Sequence, residues 1–250
     1  MPGNPLVQRP SRARRRSVNE PAAQTPAEAS HLGPRRDLEW LTPAMYRSWR
    51  DVGVRGFTSD GLPDRSFRGR YASRNAAFTD MLIRTSLRIS EQVALSLFDL
   101  PELTHAMVNA RTWLPNAVAK NGSGRAIYIP ASVLKDVRDY IETERADAVA
   151  AARAAGLYDR IHDPLIVEDR QLDRVRVGRQ WVGVAQLDPG ERRRLLVRTD
   201  HGLEPAALWL TGRGMPATLQ ELEMQTRMAL VPDSWEPVAV GAGDAVGEAA

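Results

Sequence analysis

Two cations in this chain stand where their type and position could do chemistry. Arg88 lies at the start of a helical run, in Thr85-Ser86-Leu87-Arg88-Ile89-Ser90-Glu91, inside an otherwise apolar segment. A guanidinium placed there shares an anion with the backbone N–H groups that point out of a helix start, and Glu91, one turn on, holds the helix end or orients the arginine. Lys120 lies in a turn between two short apolar runs. The chain has 34 basic residues, and only Lys120 and Lys135 among them are lysines. The skew reflects codon bias. In such a chain a surviving lysine still marks a place suited to an ammonium that can release its proton, which a guanidinium effectively cannot do. The plainer reading of each is a solvated side chain, one more helix arginine and one more turn lysine.

The elements that must hold these residues follow from apolar spacing. Residues 43 to about 52 read as a short helix capped by Thr42, and 53–70 as a long loop. Phe57, Arg65, Phe67, Arg68, Arg70 and Tyr71 suit that loop to packing on a neighbour or a sugar-phosphate chain, a folded surface loop being the plainer alternative. Phe78, Leu82 and Ile83, then Val93, Ala94 and Leu97, predict helices over 74–84 and 87–97 with a break at Thr85-Ser86. Ala117-Val118-Ala119 and Ala126-Ile127-Tyr128-Ile129 flank Lys120-Asn121-Gly122-Ser123-Gly124-Arg125, whose turn residues predict a hairpin with Lys120 at its mouth. Pro130 closes the strand, Ser132 is the expected cap of a long helix running to Ala155, and Gly156 ends it. Runs at 165–167, 175–177, 181–184, 195–198 and 206–210 are candidate strands. One weak helical window, 219–230, precedes a tail of Gly, Ala and Val. The run from Gly241 to Gly247 misses the dinucleotide spacing and follows no strand, so it carries no cofactor reading.

Composition narrows the field. The 250 residues, 43% hydrophobic, suffice for one core. Residues 1–36 carry seven arginines against Glu20 and Glu28, a net +5, while 213–250 carry Arg213 and Arg227 against six acids, a net −4. Both ends are poor in large apolar residues and read as disordered; the basic cluster at 12–16 remains available to phosphate. With no cysteine and four scattered histidines, neither a disulfide framework nor a metal centre is expected, and no cofactor is implied. No segment approaches the roughly 18 apolar residues of a membrane span, and the amino terminus lacks the apolar run of a secretory signal, so a cytoplasmic protein without a membrane partner is expected.

The Arg88 segment resembles the first arginine box of the tyrosine recombinases, the phage-integrase family, which usually reads Thr-Gly-Leu-Arg-x-x-Glu; Ser86 replaces the glycine. Lys120, 32 residues on, resembles the family's hairpin lysine, with Gly122, Gly124, Arg125 and Pro130 close to the pattern Lys-Gly-x-Gly-x-Lys/Arg-x-x-x-x-Pro. The resemblance covers about residues 38–212, including Leu208-Trp209-Leu210, where the family often has a strand. It implies an α+β, mainly helical catalytic-domain fragment with a β-hairpin or small antiparallel sheet, acting in DNA recombination or integration. In that family a tyrosine attacks a phosphodiester, arginine forks stabilise the charge that grows on the non-bridging oxygens, and the hairpin lysine protonates the leaving oxygen without a metal. Carried over, Arg88 and Lys120 are the catalytic candidates and Glu91 their support.

The family next requires His-x-x-Arg, a second His or Trp, and the tyrosine. None of His31, His105, His162 and His201 opens a His-x-x-Arg, and no tyrosine follows Tyr158. Tyr128, Tyr140 and Tyr158 read as strand or helix core residues, and Trp235 lacks its context. The helical domain that closes the clamp on DNA is not expected within residues 1–37. The expected organisation is a disordered basic tail (1–36), a partial recombinase-like catalytic domain (37–212) and an unrelated, mostly disordered tail (213–250), one origin being a frame change near Gly214. The expected activity is DNA binding, with a truncated and catalytically incomplete site. Alternatives are a DNA-binding or dimerising regulator of an intact recombinase, half of a split enzyme, or an unrelated α+β domain. Helices lacking their packing partners should expose apolar faces, so marginal folding is expected.

Overall fold

The computed structural model describes residues 42–222; the basic head with residues 12–16, the 219–230 window beyond Leu222, Trp235 and the 241–247 glycine run lie outside the described residues. Helix α1 (Pro43–Ser48) runs on as a π-helical turn over Trp49–Val54, burying Tyr46, Trp49 and Val54 with Ala76 of α2 (Ala72–Thr85). The next face of α2 puts Ala77, Phe78 and Met81 into the main core. Helix α3 (Ile89–Val93) is shorter than its apolar spacing predicts. Ser96 diverts the chain, because its N–H and hydroxyl both donate to the Asp99 carboxylate (2.7 and 2.6 Å) and close a 3₁₀ turn over Leu97–Asp99.

Strands β1 (Asn109–Leu114) and β2 (Arg125–Pro130) form the hairpin, with Asn109 opposite Pro130 and Leu114 opposite Arg125. Its first strand lies upstream of the run expected for it. Ala117, Val118 and Ala119 sit in the connection instead, where the Val118 and Ala119 amides both turn back onto the Pro115 carbonyl (3.1 and 2.9 Å) and the two side chains plug the core. Helix α4 (Ala131–Tyr140), a π turn over Ile141–Arg145 and α5 (Ala146–Ala154) succeed one another, with Gly156 at φ 62° beyond them. Pro130, not Ser132, occupies the cap position of α4, since a proline needs no amide partner there.

Five further strands make a second sheet in the order β5-β4-β3-β6-β7: β3 (Leu165–Gln171), β4 (Arg174–Val177), β5 (Gln180–Gly183), β6 (Leu195–Thr199) and β7 (Gly202–Pro205). A six-residue helix, α6 (Pro189–Arg194), lies between β5 and β6 and brings β6 back parallel to β3, while the other three pairings are antiparallel. Helix α6 is too short to show a period; its signature is the Asp188 cap, which accepts the Glu191 amide at 2.8 Å, followed by Pro189.

Ala206 to Leu210, expected as a strand, is a buried segment outside the ladder, with isolated bridges at Ala207 and Leu210 and a bend between them. Its backbone is satisfied piecemeal: the Ala206 amide donates to the Leu195 carbonyl of β6, the Leu208 amide to that of Leu95, the Leu97 and Ala217 amides donate to the Ala206 and Trp209 carbonyls, and side chains take others. Arg145 donates to the Pro205 and Ala207 carbonyls, Arg74 donates to that of Leu210 (2.6 Å), and the Leu210 amide donates to the Tyr140 hydroxyl (3.1 Å). Trp209 is stacked on Tyr140 and meets Phe78 edge-on, with ring centroids 5.5 and 5.0 Å apart. The packed chain passes residue 212: Ala217 and Leu222 lie in the main core, and the Tyr158 hydroxyl donates to the Gly214 carbonyl. The architecture is α+β. Among the described residues no helix is long and apolar enough to cross a membrane.

Candidate functional site

The site is built where α2 ends. Ser86 adopts the left-handed conformation (φ 55°, ψ 26°), the turn for which glycine is the usual residue, and this reversal starts α3 with Arg88 in the cap position. Glu91, three residues on, folds its carboxylate back over the helix start and accepts the Arg88 amide at 3.0 Å. It is fully buried.

A buried carboxylate needs donors on all its lone pairs, and here they come from three segments. Oε1 accepts from Arg88 Nη1 (3.1 Å), from Arg125 Nη1 (3.2 Å) and from the Lys120 backbone amide (3.1 Å). Oε2 accepts from Arg125 Nη2 at 2.7 Å, which completes a two-pronged fork. Burial alone would raise the Glu91 pKa. The Arg125 fork, the two amides and the Arg88 guanidinium outweigh it and hold the carboxyl down at about 2. Arg125 is driven above the ordinary arginine value by the same contact.

The three candidates Arg88, Glu91 and Lys120 are therefore brought together, with Lys120 joined through its main chain. Its turn is rigidly made. Asn121 and Gly122 take positive φ, the Ser123 hydroxyl donates to the Lys120 carbonyl (2.7 Å), and the Gly124 amide donates to Asn116 Oδ1 (3.0 Å). A Cβ on Gly124 would fall 2.2 Å from that Asn116 oxygen and 2.8 Å from the Leu114 carbonyl, so only glycine fits. The Lys120 side chain is exposed, as is more than half of the Arg88 side chain. Two guanidinium groups on one carboxylate, with the exposed Lys120 side chain on the adjoining turn, leave a local excess of positive charge suited to a phosphate-like anion.

Arg125 was not among the candidate residues, although it occupies the Lys/Arg position of the hairpin pattern. The missing signal is three-dimensional, since only the β1–β2 register carries it back to Glu91. Three of the tyrosines, Tyr46, Tyr140 and Tyr158, are committed to partners inside the fold. Tyr46 donates to Asp80 (2.8 Å), Tyr158 to Gly214, and Tyr140 accepts from Leu210. Burial pushes all three hydroxyls up, that of Tyr158 to about 12, and the Asp80 contact raises Tyr46 further. Tyr128, expected in the core, points outward from β2 and is exposed. His105, His162 and His201 are exposed on separate segments. Comparison with protein-family models, with curated proteins and with solved structures finds no match for this chain.

Proposed function

We propose that this chain is a tyrosine-recombinase-like DNA-binding protein that grips a backbone phosphate with Arg88 and Lys120 and does not cleave it unaided. The observation that supports this reading is the convergence on Glu91: a helix-start arginine and the hairpin turn, 32 residues apart in sequence, are held by one buried carboxylate. Such a clamp fixes the Arg88 guanidinium and the backbone of the Lys120 turn before DNA arrives, so part of the ordering is already done. Cleavage needs more. A nucleophile must attack, and further donors must meet the charge of the transition state, each worth on the order of 10²–10³ in rate. The described tyrosines other than Tyr128 are committed or half-buried, and these 250 residues hold no His-x-x-Arg.

The test is duplex binding across a salt series, together with a suicide substrate that traps covalent protein-DNA adducts. Affinity should fall steeply with salt, and Arg88→Ala and Lys120→Ala should each flatten the logarithmic slope by about one. No adduct should form with the isolated chain. Salt-independent binding, or slopes unchanged in both variants, would refute the phosphate clamp; a covalent adduct would refute its inactivity.

A further inference from the structure

We infer that the outer face of the β1–β2 hairpin is a stacking platform for unpaired nucleobases, a reading that rests on the nucleic-acid assignment of the neighbouring phosphate clamp. Strand alternation and the register put Asn109, Arg111 and Trp113 of β1 on one face with Ala126, Tyr128 and Pro130 of β2. The opposite face is core: Ala110, Leu114, Ile127 and Ile129 are buried. The hairpin is thus seated firmly, and whatever it presents outward is presented in a fixed geometry.

What it presents is unusual for a solvated strand pair. Trp113 is 54% exposed and Tyr128 58%, with Val108 beside β1 at 77%. Trp113 pairs with Ala126 and Tyr128 with Arg111, so Trp113 and Tyr128 occupy diagonal positions whose Cα atoms lie about 7–8 Å apart by sheet geometry. Large aromatic side chains are normally buried on average, and two on one rigid face make a surface that attracts a flat partner. The charge of the face selects which partner. Its six outward positions hold one cation, Arg111, and no acid, so it complements a polyanion carrying π-faces rather than a mixed protein surface. The clamp lies at the turn end of the same hairpin, on the face that looks toward the core. Arg125, locked on Glu91, begins β2, and Tyr128 follows three residues later, roughly 10 Å along the strand.

The test uses the full chain with a short oligothymidylate, a short oligouridylate and a blunt duplex. The parent should bind the oligothymidylate, and Trp113→Ala and Tyr128→Ala should each weaken that affinity about tenfold, within the usual cost of losing one stacked base. Trp113→Phe should retain most of the affinity, and duplex affinity should stay within about twofold in all three variants. Equal loss with the oligouridylate assigns the platform to single strands of either sugar; loss with the oligothymidylate alone assigns it to DNA. Three results overturn the inference: no single-strand binding by the parent, variants that bind as the parent does, or a dimer that Trp113→Ala dissociates without touching oligonucleotide affinity. The two readings fail separately. Ring-dependent single-strand binding without Arg88- and Lys120-dependent duplex binding removes the clamp and leaves the platform, and the reverse pattern removes the platform alone.

Discussion

Glu91 is the residue on which the site turns, and its ionisation makes the site measurable. Folding lowers its pKa from the ordinary 4.5 to about 2, so its ionised form stabilises the native state at every pH above about 4.5. That contribution, about 3 kcal/mol from the size of the shift, is lost as pH falls from 4.5 toward 2. Urea unfolding across that window should show the loss in the parent chain and a flatter profile in Glu91→Gln, whose stability at neutral pH should already be reduced by a similar amount. Equal pH profiles in the two proteins would mean that the carboxylate is not held as described. Ser86 supports the same turn at some strain, because a residue with a Cβ in the left-handed region costs on the order of 1 kcal/mol. Ser86→Gly should relieve it, stabilising by about 1 kcal/mol and raising the melting temperature by roughly 2–4 °C; a lower melting temperature would show that the Ser86 side chain has a use of its own.

The hairpin is the element that joins Lys120 and Arg125 to Glu91, and its turn sets their placement. Gly124→Ala should displace the Asn116–Gly124 contact, cost about 1–3 kcal/mol and weaken duplex binding, whereas Gly122→Asn, with open space around its Cβ position and a residue that tolerates positive φ, should be nearly neutral. Calorimetry with binding assays on the two variants separates a specific turn geometry from a merely flexible loop. Much at this scale was legible in the sequence. The helical spacing around Phe78, the stop at Gly156 and the short apolar runs at 165–167, 175–177 and 195–198 announce their elements, although Ile83 of the first series is exposed; Arg88, Glu91 and Lys120 stand out through the resemblance of their segments to the recombinase motifs. What was not legible shares a cause: local pattern is silent about partners distant in the chain. Ala117 to Ala119 have strand-like composition, yet Pro115 turns them into a core plug. Ala206 to Leu210 look like a strand, yet their backbone pairs with scattered partners, among them Leu195, Leu95 and the side chains of Arg145, Arg74 and Tyr140, instead of one ladder. In a chain with so many arginines, nothing local distinguishes the buried Arg74, Arg145 and Arg192 from the solvated majority.

Those three arginines decide how the molecule behaves as a whole. The expectation of marginal folding rested on uncovered helix faces, but the exposed large apolar side chains among the described residues are scattered over separate elements, apart from the hairpin face. The helical part and the five-stranded sheet are tied through buried cations. Arg192 of α6 reaches Asp99 (2.6 Å) and the Ala94 carbonyl on one side and the Val184 and Leu187 carbonyls on the other, while Arg145 carries the π turn after α4 onto the segment following β7. Neither part can open without stripping a buried guanidinium of its acceptors, so the two should unfold together. Far-UV circular dichroism and tryptophan fluorescence should report coincident urea transitions. Arg192→Ala leaves the nearly buried Asp99 carboxylate without its cation and should cost about 3–5 kcal/mol, moving both transitions equally. If the substitution instead splits them, with the sheet melting first, then Arg192 serves only its own turn and the two parts are held together by apolar contact alone.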